Sequence, residues 1–193
     1  MAILCWAGMG LAGTCHAVEL ESTQASRSGS RYIVELVMVV DTPESVARTI
    51  LQDPDRVVRV NDELVDVQHL PANEVGVRRF RDHTIACVWL FCVDYHNTIR
   101  MRVLDNGDIR LTVEPEKSKF KYGKFIWKIQ SLGPERTRLT FYAETIPGFW
   151  VPSTGILQSR MKKGLQRMAI RMECEYRGDR ICAQARWVDS TQQ

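Results

Sequence analysis

A single long amphipathic helix at the end of a strand-rich chain constrains the fold more than any other feature. After residue 152, large apolar residues recur every three or four positions, which is the spacing of one face of an α-helix. This apolar face consists of Leu157, Met161, Leu165, Met168 and Met172. A helix with one apolar face has to bury it against another apolar layer. The rest of the chain therefore has to supply that layer.

The segments before this helix predict the strands of a sheet. Residues 31–41 are dense in β-branched and apolar side chains, which is typical of a long strand. Farther along, apolar and polar residues alternate, as expected for strands with one buried and one wet face. These later strands are predicted near residues 64–71, 75–86, 93–104, 109–114, 120–129 and 138–145. The turn signals between them, such as the Asn-Gly pair at 106–107, predict antiparallel pairing.

Two short helices are predicted directly after the first strand. Thr42 is a suitable cap, Pro43 fits the first helical position, and Glu44 complements the positive helix N-terminus. A break at 52–55 separates this helix from a second one over about 54–60. The order predicts an α+β helix-grip fold. Its curved antiparallel sheet would have about six to seven strands, with the long helix over the concave face.

The charge balance excludes a general affinity for polyanions. The 193 residues include 26 Lys and Arg against 23 Asp and Glu, for a net charge of +3. No nucleic-acid partner is therefore predicted. The length fits one domain, which we expect over residues 31–177, followed by a C-terminal tail over 178–193.

The first residues of the chain favour export. Residues 1–17 contain no Lys, Arg, Asp or Glu, and Cys15 and Ala17 are small enough for a cleavage site. We predict a signal peptide over 1–17, a flexible mature N-terminus over 18–30, and a periplasmic or secreted protein. The alternative is a cytoplasmic protein whose first residues belong to the core, because the usual basic start of a signal peptide is missing. Whether Met1 is the true start stays open.

Cysteine usage also fits an oxidising compartment. Removing the predicted signal peptide leaves four of the six cysteines: Cys87, Cys92, Cys174 and Cys182. Four cysteines allow three pairings, and we predict the local one, 87–92 and 174–182. The alternatives are free thiols or a zinc site. The spacings fit structural zinc poorly, because there is no Cys-x-x-Cys pair.

With these features the sequence resembles the START/polyketide cyclase superfamily, also known as the SRPBCC or birch-allergen-like helix-grip proteins. The resemblance covers about residues 31–176. It is carried by Asp-Thr-Pro-Glu at 41–44, Phe-Lys-Tyr-Gly at 120–123, Pro-Gly-Phe-Trp-Val-Pro at 147–152 and the Cys87-x4-Cys92 pair. The combination is most similar to uncharacterised exported proteobacterial members, and more distantly to coenzyme Q-binding START proteins.

The resemblance implies a hydrophobic cavity between the sheet and the last helix. In this superfamily such a cavity usually takes a lipid, sterol, quinone or polyketide. We therefore expect a protein that binds or carries a hydrophobic small molecule. We expect a non-enzymatic protein more than an enzyme, and we predict no cofactor. The predicted cavity residues are Phe125, Trp127, Phe141, Phe149, Trp150, Leu157, Met161, Leu165 and Met168. Each of them is also explained as plain core, because core and cavity residues differ only in how well the space is filled.

An enzyme of the cyclase/aromatase or hydrolase type is the alternative. It would need polar cavity residues such as Tyr95, Arg100 or Tyr142 to polarise a carbonyl group or take a proton. The sequence has no Gly-rich phosphate loop, no His-Glu-x-x-His and no Gly-x-Ser-x-Gly, so no catalytic residues are predicted. A third possibility is a filled core, which would make the protein a structural or envelope-interaction module.

Two further groups of residues have both a functional and an ordinary interpretation. His83 and His96 would face each other across the hairpin, where Asp82 or Asp94 could complete a metal site. Histidines on polar strands are common, so we predict no metal. The basic residues of the last helix form either a solvated face or a membrane-docking surface. They are Arg160, Lys163, Arg167 and Arg171.

Overall fold

Eight antiparallel strands form one curved sheet in the described part of the chain, which comprises residues 18–88, 91–151, 153–180 and 182 of the computed structural model. The strands are β1 Glu19–Ser28, β2 Arg31–Val40, β3 Leu64–Leu70, β4 Val77–Val88, β5 Phe91–Val103, β6 Ile109–Val113, β7 Phe120–Gly133 and β8 Arg136–Pro147. They lie in the order β1-β2-β8-β7-β6-β5-β4-β3. The predicted signal peptide and residues 183–193 of the predicted tail lie outside the described residues.

The helices occupy the places that the sequence predicts. They are α1 Glu44–Leu51, α2 Pro54–Val60 and α3 Thr154–Arg177, with a short 3-10 helix over Pro115–Lys117. The Asp53 side chain caps α2 by accepting a hydrogen bond from the backbone N of Asp55 at 3.1 Å. This arrangement confirms the predicted α+β helix-grip fold.

Thr42 does not act as the predicted cap of α1. Pro43 occupies the N-cap position of α1, and no side chain caps that helix. Thr42 is fully buried, and its carbonyl accepts a hydrogen bond from the Thr137 hydroxyl at 2.6 Å. This contact ties the end of β2 to β8, so Thr42 links the sheet instead of starting the helix.

The segment predicted to be flexible over residues 18–30 is mostly an edge strand. Strand β1 pairs antiparallel with β2, and Leu20 and Ala25 pack against the core. On its other face, Glu21 accepts hydrogen bonds from Arg138 of β8 at 2.7 and 2.8 Å. The prediction was wrong because the strand is largely polar, as exposed edge strands commonly are. The sheet consequently has eight described strands in place of the predicted six to seven.

The long helix α3 crosses the sheet near β1 and β2, and its two halves are buried to different degrees. In the C-terminal half Met168 and Met172 are buried, with 2% and 0% of their surface exposed. In the N-terminal half Leu157, Met161 and Leu165 are half-buried and pack against the edge of the core. No helix in the described ranges is both long and apolar enough to span a membrane.

Polar contacts fix the C-terminal half of α3. The Asp62 carboxylate pairs with Arg171, and its other oxygen lies 3.3 Å from Nε of Arg167. The buried Glu173 carboxylate accepts a hydrogen bond from the backbone N of Asp41 at 2.8 Å. Arg167 and Arg171 therefore do not belong to a solvated basic face. Arg171 is only 6% exposed, which rules it out as the predicted membrane contact in this structure.

Both predicted disulfides are present. Cys87 is bonded to Cys92 at the end of the β4–β5 hairpin, and Cys174 of α3 is bonded to Cys182. Each bridge closes a short segment, so each constrains local structure more than it joins distant elements.

An ion pair on the outer side of the sheet predicts a pH dependence of stability. Nε and Nη2 of Arg79 donate to the two carboxylate oxygens of Glu114, both at 2.6 Å. These hydrogen bonds, helped by the charges of Arg79, Lys117 and Arg100, lower the pKa of Glu114. A lowered pKa means that the pair stabilises the fold above the ordinary carboxyl pKa of about 4.3 and that this contribution fades at lower pH.

Glu114→Gln is therefore expected to lower the Tm at pH 7, by about 2 °C, and to make less difference as the pH falls towards 3. Thermal unfolding across this pH range measures the effect. The exposed neighbour Glu116 supplies the control variant, Glu116→Gln, which should leave the Tm nearly unchanged. A Glu114→Gln difference that does not shrink at acid pH would contradict the assignment.

Candidate functional site

The inner face of the sheet is covered unevenly, and this places the candidate site. Under α3 the inward residues of β2, such as Leu36 and Met38, are fully buried. Towards the middle of the sheet Leu111 of β6 and Phe125 of β7 are only half-buried, like three residues on the N-terminal half of α3. We call the region around Leu111, Phe125, Leu157, Met161 and Leu165, which all pack against one core cluster, the apolar hollow. Half-buried apolar side chains on both layers are what incomplete closure of the helix on the sheet would leave.

The structure separates the predicted cavity residues into three groups. Trp127, Phe141 and Met168 are 7%, 8% and 2% exposed, so they belong to the packed core. The half-buried residues Phe125, Leu157, Met161 and Leu165 border the apolar hollow. The last two predicted residues, Phe149 and Trp150, lie in the segment between β8 and α3.

Aromatic rings form the floor of the hollow. Trp127 and Phe141 are direct partners on neighbouring strands, with ring centroids 4.6 Å apart. Phe125 stacks on Phe141 from the adjacent position, at 6.3 Å. Contacts of this kind add rigidity to what their burial already contributes. The half-buried ring of Phe125 therefore rests on a fixed aromatic base.

Phe149 packs against two aromatic residues of the sheet. Its ring lies 5.3 Å from that of Tyr95 on β5 and 5.4 Å from that of Phe120 at the start of β7. Gly148 makes this possible, because its backbone N donates to the carbonyl of Lys119 at 2.8 Å. A Cβ at position 148 would lie 2.4 Å from that carbonyl oxygen, so the close approach requires glycine.

Trp150 lies outside the hollow. Its side chain is 74% exposed, so it does not line the site as predicted in this structure. It follows Phe149 directly, so one residue of the pair turns inward and the next turns to solvent. The sequence shows two adjacent aromatic residues but not which of them faces the sheet.

A carboxyl group lies among the inward residues of β4. Asp82 is 8% exposed, and its Oδ1 accepts a hydrogen bond from the backbone N of Asn97 at 2.8 Å. Burial raises the pKa of Asp82 to about 6, although hydrogen bonds from Asn97 and the nearby His96 and His83 oppose the shift. Buried carboxyl groups with raised pKa values are concentrated at functional sites.

Tyr95 lies close enough to Asp82 and to Glu63 for both charges to act on its hydroxyl. Burial, followed by the charges of Asp82 and Glu63, raises the pKa of the Tyr95 hydroxyl, which therefore stays protonated and able to donate. Burial also raises the pKa of Glu63, opposed by the charges of Arg160 and Arg167. Glu63 reaches towards α3 at Gly164, where an added Cβ would lie 3.9 Å from its Oε1. We call Glu63, Asp82 and Tyr95 the polar end.

Sequence reasoning named Tyr95 for an enzymatic site and Asp82 only as a possible metal ligand, and it did not name Glu63. Asp82 follows Phe80 by two positions, and the alternation along a strand places both on one face. That signal was available for Asp82. Glu63 lies in the turn between α2 and β3, where no periodic pattern indicates direction.

The other residues predicted for an enzymatic site face away from the hollow. The Tyr142 hydroxyl donates to the Glu144 carboxylate at 3.2 Å, and Arg100 pairs with Glu74 at 2.8 Å. Both side chains alternate with inward residues of their strands and lie on the outer face. They cannot act on a molecule held under α3.

A separate groove lies at the C-terminal end of α3 and does not fit a lipophilic ligand. Its volume is about 480 Å³, and it is lined by Asp41, Glu135, Arg136, Tyr176 and Arg177. Its charged walls favour water and ions over apolar surface. The apolar hollow with its polar end is the better candidate. It combines half-buried apolar side chains with a carboxyl group and a tyrosine hydroxyl, a mixture typical of small-molecule sites.

Comparisons with known proteins agree with this architecture. No family model and no curated protein matches the sequence. An aromatase/cyclase from Streptomyces sp. R1128 aligns with a TM-score of 0.60 and 14% identity, over 75% of this chain and 95% of its own.

Two other solved structures have START-type names. A START superfamily protein from Mycobacterium smegmatis aligns with a TM-score of 0.61 and 15% identity, over 76% of this chain and 97% of its own. A STAR-related lipid transfer protein from Xanthomonas axonopodis aligns with a TM-score of 0.53 and 10% identity, over 78% of this chain and 98% of its own. The chain therefore has the helix-grip fold that START and polyketide cyclase proteins share.

Proposed function

We propose that the protein binds or carries a lipophilic small molecule in the apolar hollow. The observation that supports this most directly is the half-burial of large apolar side chains on both facing layers. Filling the space would remove apolar surface from water on the protein and on the ligand, at about 25 cal/mol per Å². Binding would need no chemical step.

The polar end narrows the class of ligand. Asp82 offers a carboxylate acceptor and Tyr95 a hydroxyl donor beside an otherwise apolar space. A carboxylate can accept more hydrogen bonds than those from Asn97, so an amphipathic molecule with a hydroxyl group could add one where a pure hydrocarbon could not. We propose the lipid, quinone, sterol or polyketide class. Related folds include proteins named for lipid transfer and for aromatase/cyclase activity.

The uneven attachment of α3 supports a route for ligand exchange. Its C-terminal half is fixed through Asp62 and Glu173. Its N-terminal half and the segment around Phe149 lack comparable burial. Outward movement of that half would open the hollow without breaking the anchored end, as in hinged closure of other binding sites.

Mass spectrometry of the natively purified protein tests the proposal. The protein is isolated from its own host without detergent, and the organic extract is compared with that of a mock purification. A stoichiometric lipophilic molecule is expected. Folded protein that repeatedly carries no such molecule, and that binds none from a host lipid extract, would refute binding and favour the filled-core alternative.

An enzyme using the same space is the second candidate, and the convergence of Asp82 and Tyr95 is the observation that favours it. The variant Asp82→Asn distinguishes the two functions. A carrier should yield the same bound molecule from the wild type and the variant, although with different occupancy. An enzyme should yield product from the wild type and accumulate substrate in the variant, a difference in mass that the same spectrometry detects.

We also propose that the protein works in an oxidising compartment after export. The two disulfides support this, because cytosolic thiols are normally kept reduced. Intact-mass measurement on protein from the envelope or culture medium, with and without alkylation, tests it. Full-length chain with all six cysteines as reactive thiols, found in the cytosolic fraction, would contradict export.

A membrane surface is the proposed partner for ligand exchange, through a contact that differs from the predicted basic stripe. Trp150 and Ile156, beside the N-terminus of α3, are 74% and 41% exposed. Lys163 lies seven residues after Ile156, about two helical turns, and is also exposed. An apolar pair beside a cation suits the surface of an anionic bilayer. Arg160 lies nearby and is half-buried.

Trp150→Ala is expected to weaken binding to phosphatidylcholine–phosphatidylglycerol vesicles about tenfold, since an interfacial Trp contributes more than about 1.4 kcal/mol. Vesicle co-sedimentation at two salt concentrations measures this loss. Tyr176→Ala, which removes an exposed aromatic residue at the other end of α3, should have little effect. Equal losses in the two variants would exclude this contact surface.

A further inference from the structure

We infer that the outer face of the β4–β5 hairpin carries a binding site for a transition-metal dication, formed by His83, His96 and Asp94. His83 and His96 are direct partners across the two strands, and their ring centroids lie 4.4 Å apart. Oδ1 of Asp94 lies 2.9 Å from Nε2 of His83. One ligand atom from each of the three residues lies within 4.8 Å of the others. We call these residues the outer triad.

The outer triad is distinct from the apolar hollow. Asp82 and Asn97 are buried on the inner face, and the residues that follow and precede them, His83 and His96, point to the opposite face. A metal ion at the triad would therefore lie on the convex side of the sheet. The inference does not depend on the function proposed for the hollow.

The donor set selects the kind of metal. Two imidazole nitrogens and one carboxylate oxygen suit Zn²⁺, Ni²⁺ or Cu²⁺, whereas Mg²⁺ and Ca²⁺ prefer oxygen ligands throughout. Ligand atoms around a tetrahedral zinc ion lie about 3.3 Å apart, given bonds of about 2.0–2.1 Å. The Asp94–His83 pair is closer than that, at 2.9 Å, and all three ligand atoms lie within 4.8 Å of one another. Because Asp94 is 63% exposed, its side chain is free to rotate inward.

A neighbouring carboxylate would orient one ligand. Oδ2 of Asp66, on the adjacent strand β3, lies 3.8 Å from Nδ1 of His83. A metal-ligating histidine commonly donates its other ring N–H to a carboxylate, which fixes the ring and increases its basicity. Asp66 would need to move only slightly closer to accept this bond while Nε2 of His83 faces Asp94. Three strands would thus contribute to one site.

The nearby cysteines do not compete for the ion while they are oxidised. Cys87 and Cys92 occupy one rung on the same hairpin and are bonded to each other. A disulfide has no thiolate to offer a metal. A metal at the outer triad would add a second link between β4 and β5, four residues farther from the hairpin tip.

Zinc titration of the oxidised, tag-free protein tests the inference. Isothermal calorimetry is expected to show one zinc ion per chain, and His96→Ala is expected to weaken the affinity at least tenfold. The matched control is His69→Ala. His69 also lies against a carboxylate, that of Asp55 at 2.8 Å, but has no second histidine across its strand pair. This control should leave the affinity unchanged.

Electron paramagnetic resonance with Cu²⁺ supplies a readout that a loss of folding would not imitate. The wild-type spectrum should show coupling to two imidazole nitrogens, and the His96→Ala spectrum to one, with the far-UV circular dichroism unchanged. Absence of zinc binding by the wild type would overturn the inference. So would an equal loss of affinity in His69→Ala, or an unchanged two-nitrogen spectrum in His96→Ala.

Discussion

Leu165→Trp is expected to abolish most binding of lipophilic probes while leaving the protein folded. Leu165 is half-buried on the N-terminal half of α3, facing the same core as Leu111 and Phe125. An indole at this position would occupy space that a ligand needs. If it removes about 100 Å² of apolar contact, the loss is about 2.5 kcal/mol at about 25 cal/mol per Å², or roughly 70-fold in Kd.

The fluorescence of N-phenyl-1-naphthylamine on titration with protein measures this loss. Ser159→Trp is the matched control, because it adds the same side chain to an exposed position of the same helix. It should bind the probe like the wild type. If both tryptophan variants keep wild-type affinity, the ligand does not lie in the apolar hollow, even if the purified protein carries one.

Asp62→Ala is expected to destabilise the fold by about 3 kcal/mol. Its carboxylate pairs with Arg171, whose side chain is only 7% exposed, and also with Arg167. Breaking a buried pair commonly costs about 3–5 kcal/mol, because the remaining buried charge loses an opposite charge beside it. The lower end applies here, because the Asp62 side chain is 27% exposed. Urea unfolding at pH 7 gives the free energy directly.

A double-mutant cycle assigns the cause. Replacing Arg171 with methionine removes the buried charge, so Asp62→Ala should cost much less in that background. Glu74→Ala removes a carboxylate that pairs with Arg100 and Arg102 at the surface, and it should cost less than about 1 kcal/mol. Similar values for the two alanine variants would mean that Asp62 does not anchor α3.

Local signals predicted the elements of this fold well. The Asp53–Pro54 pair fixes the start of α2, and the spacing of leucine and methionine places α3 against the sheet. Cross-strand pairing of His83 with His96 followed from counting outward from the hairpin tip. Each of these inferences depends on residues close together in the sequence. Such patterns report on secondary structure and on short-range register.

Features that depend on distant residues were missed. From the sequence, β1 resembles a flexible polar leader. In the structure it is a strand, and Glu21 accepts a hydrogen bond from Arg138, which lies 117 residues later in the chain. From the sequence, Arg171 belongs to a solvated basic stripe on the helix. In the structure it pairs with Asp62, in the turn before β3. The position of Glu63 likewise depends on how that turn meets α3. The spacing of residues along a helix predicts which face of the helix each residue lies on. It does not predict which charged residue of another element packs against that face.

The place of β2 in the sheet has a consequence for how the chain folds. Its neighbours are β1 and β8, so Tyr32 pairs with Thr145 across most of the sequence. Pairing at such long range raises the contact order and slows folding. During synthesis it also leaves the apolar residues of β2 exposed until β8 has been synthesised. The two disulfides, in contrast, can close within their own short segments. Both disulfides can therefore form before the sheet does. Folding has to be followed by the pairing of β2 with β8, not by the oxidation of the thiols.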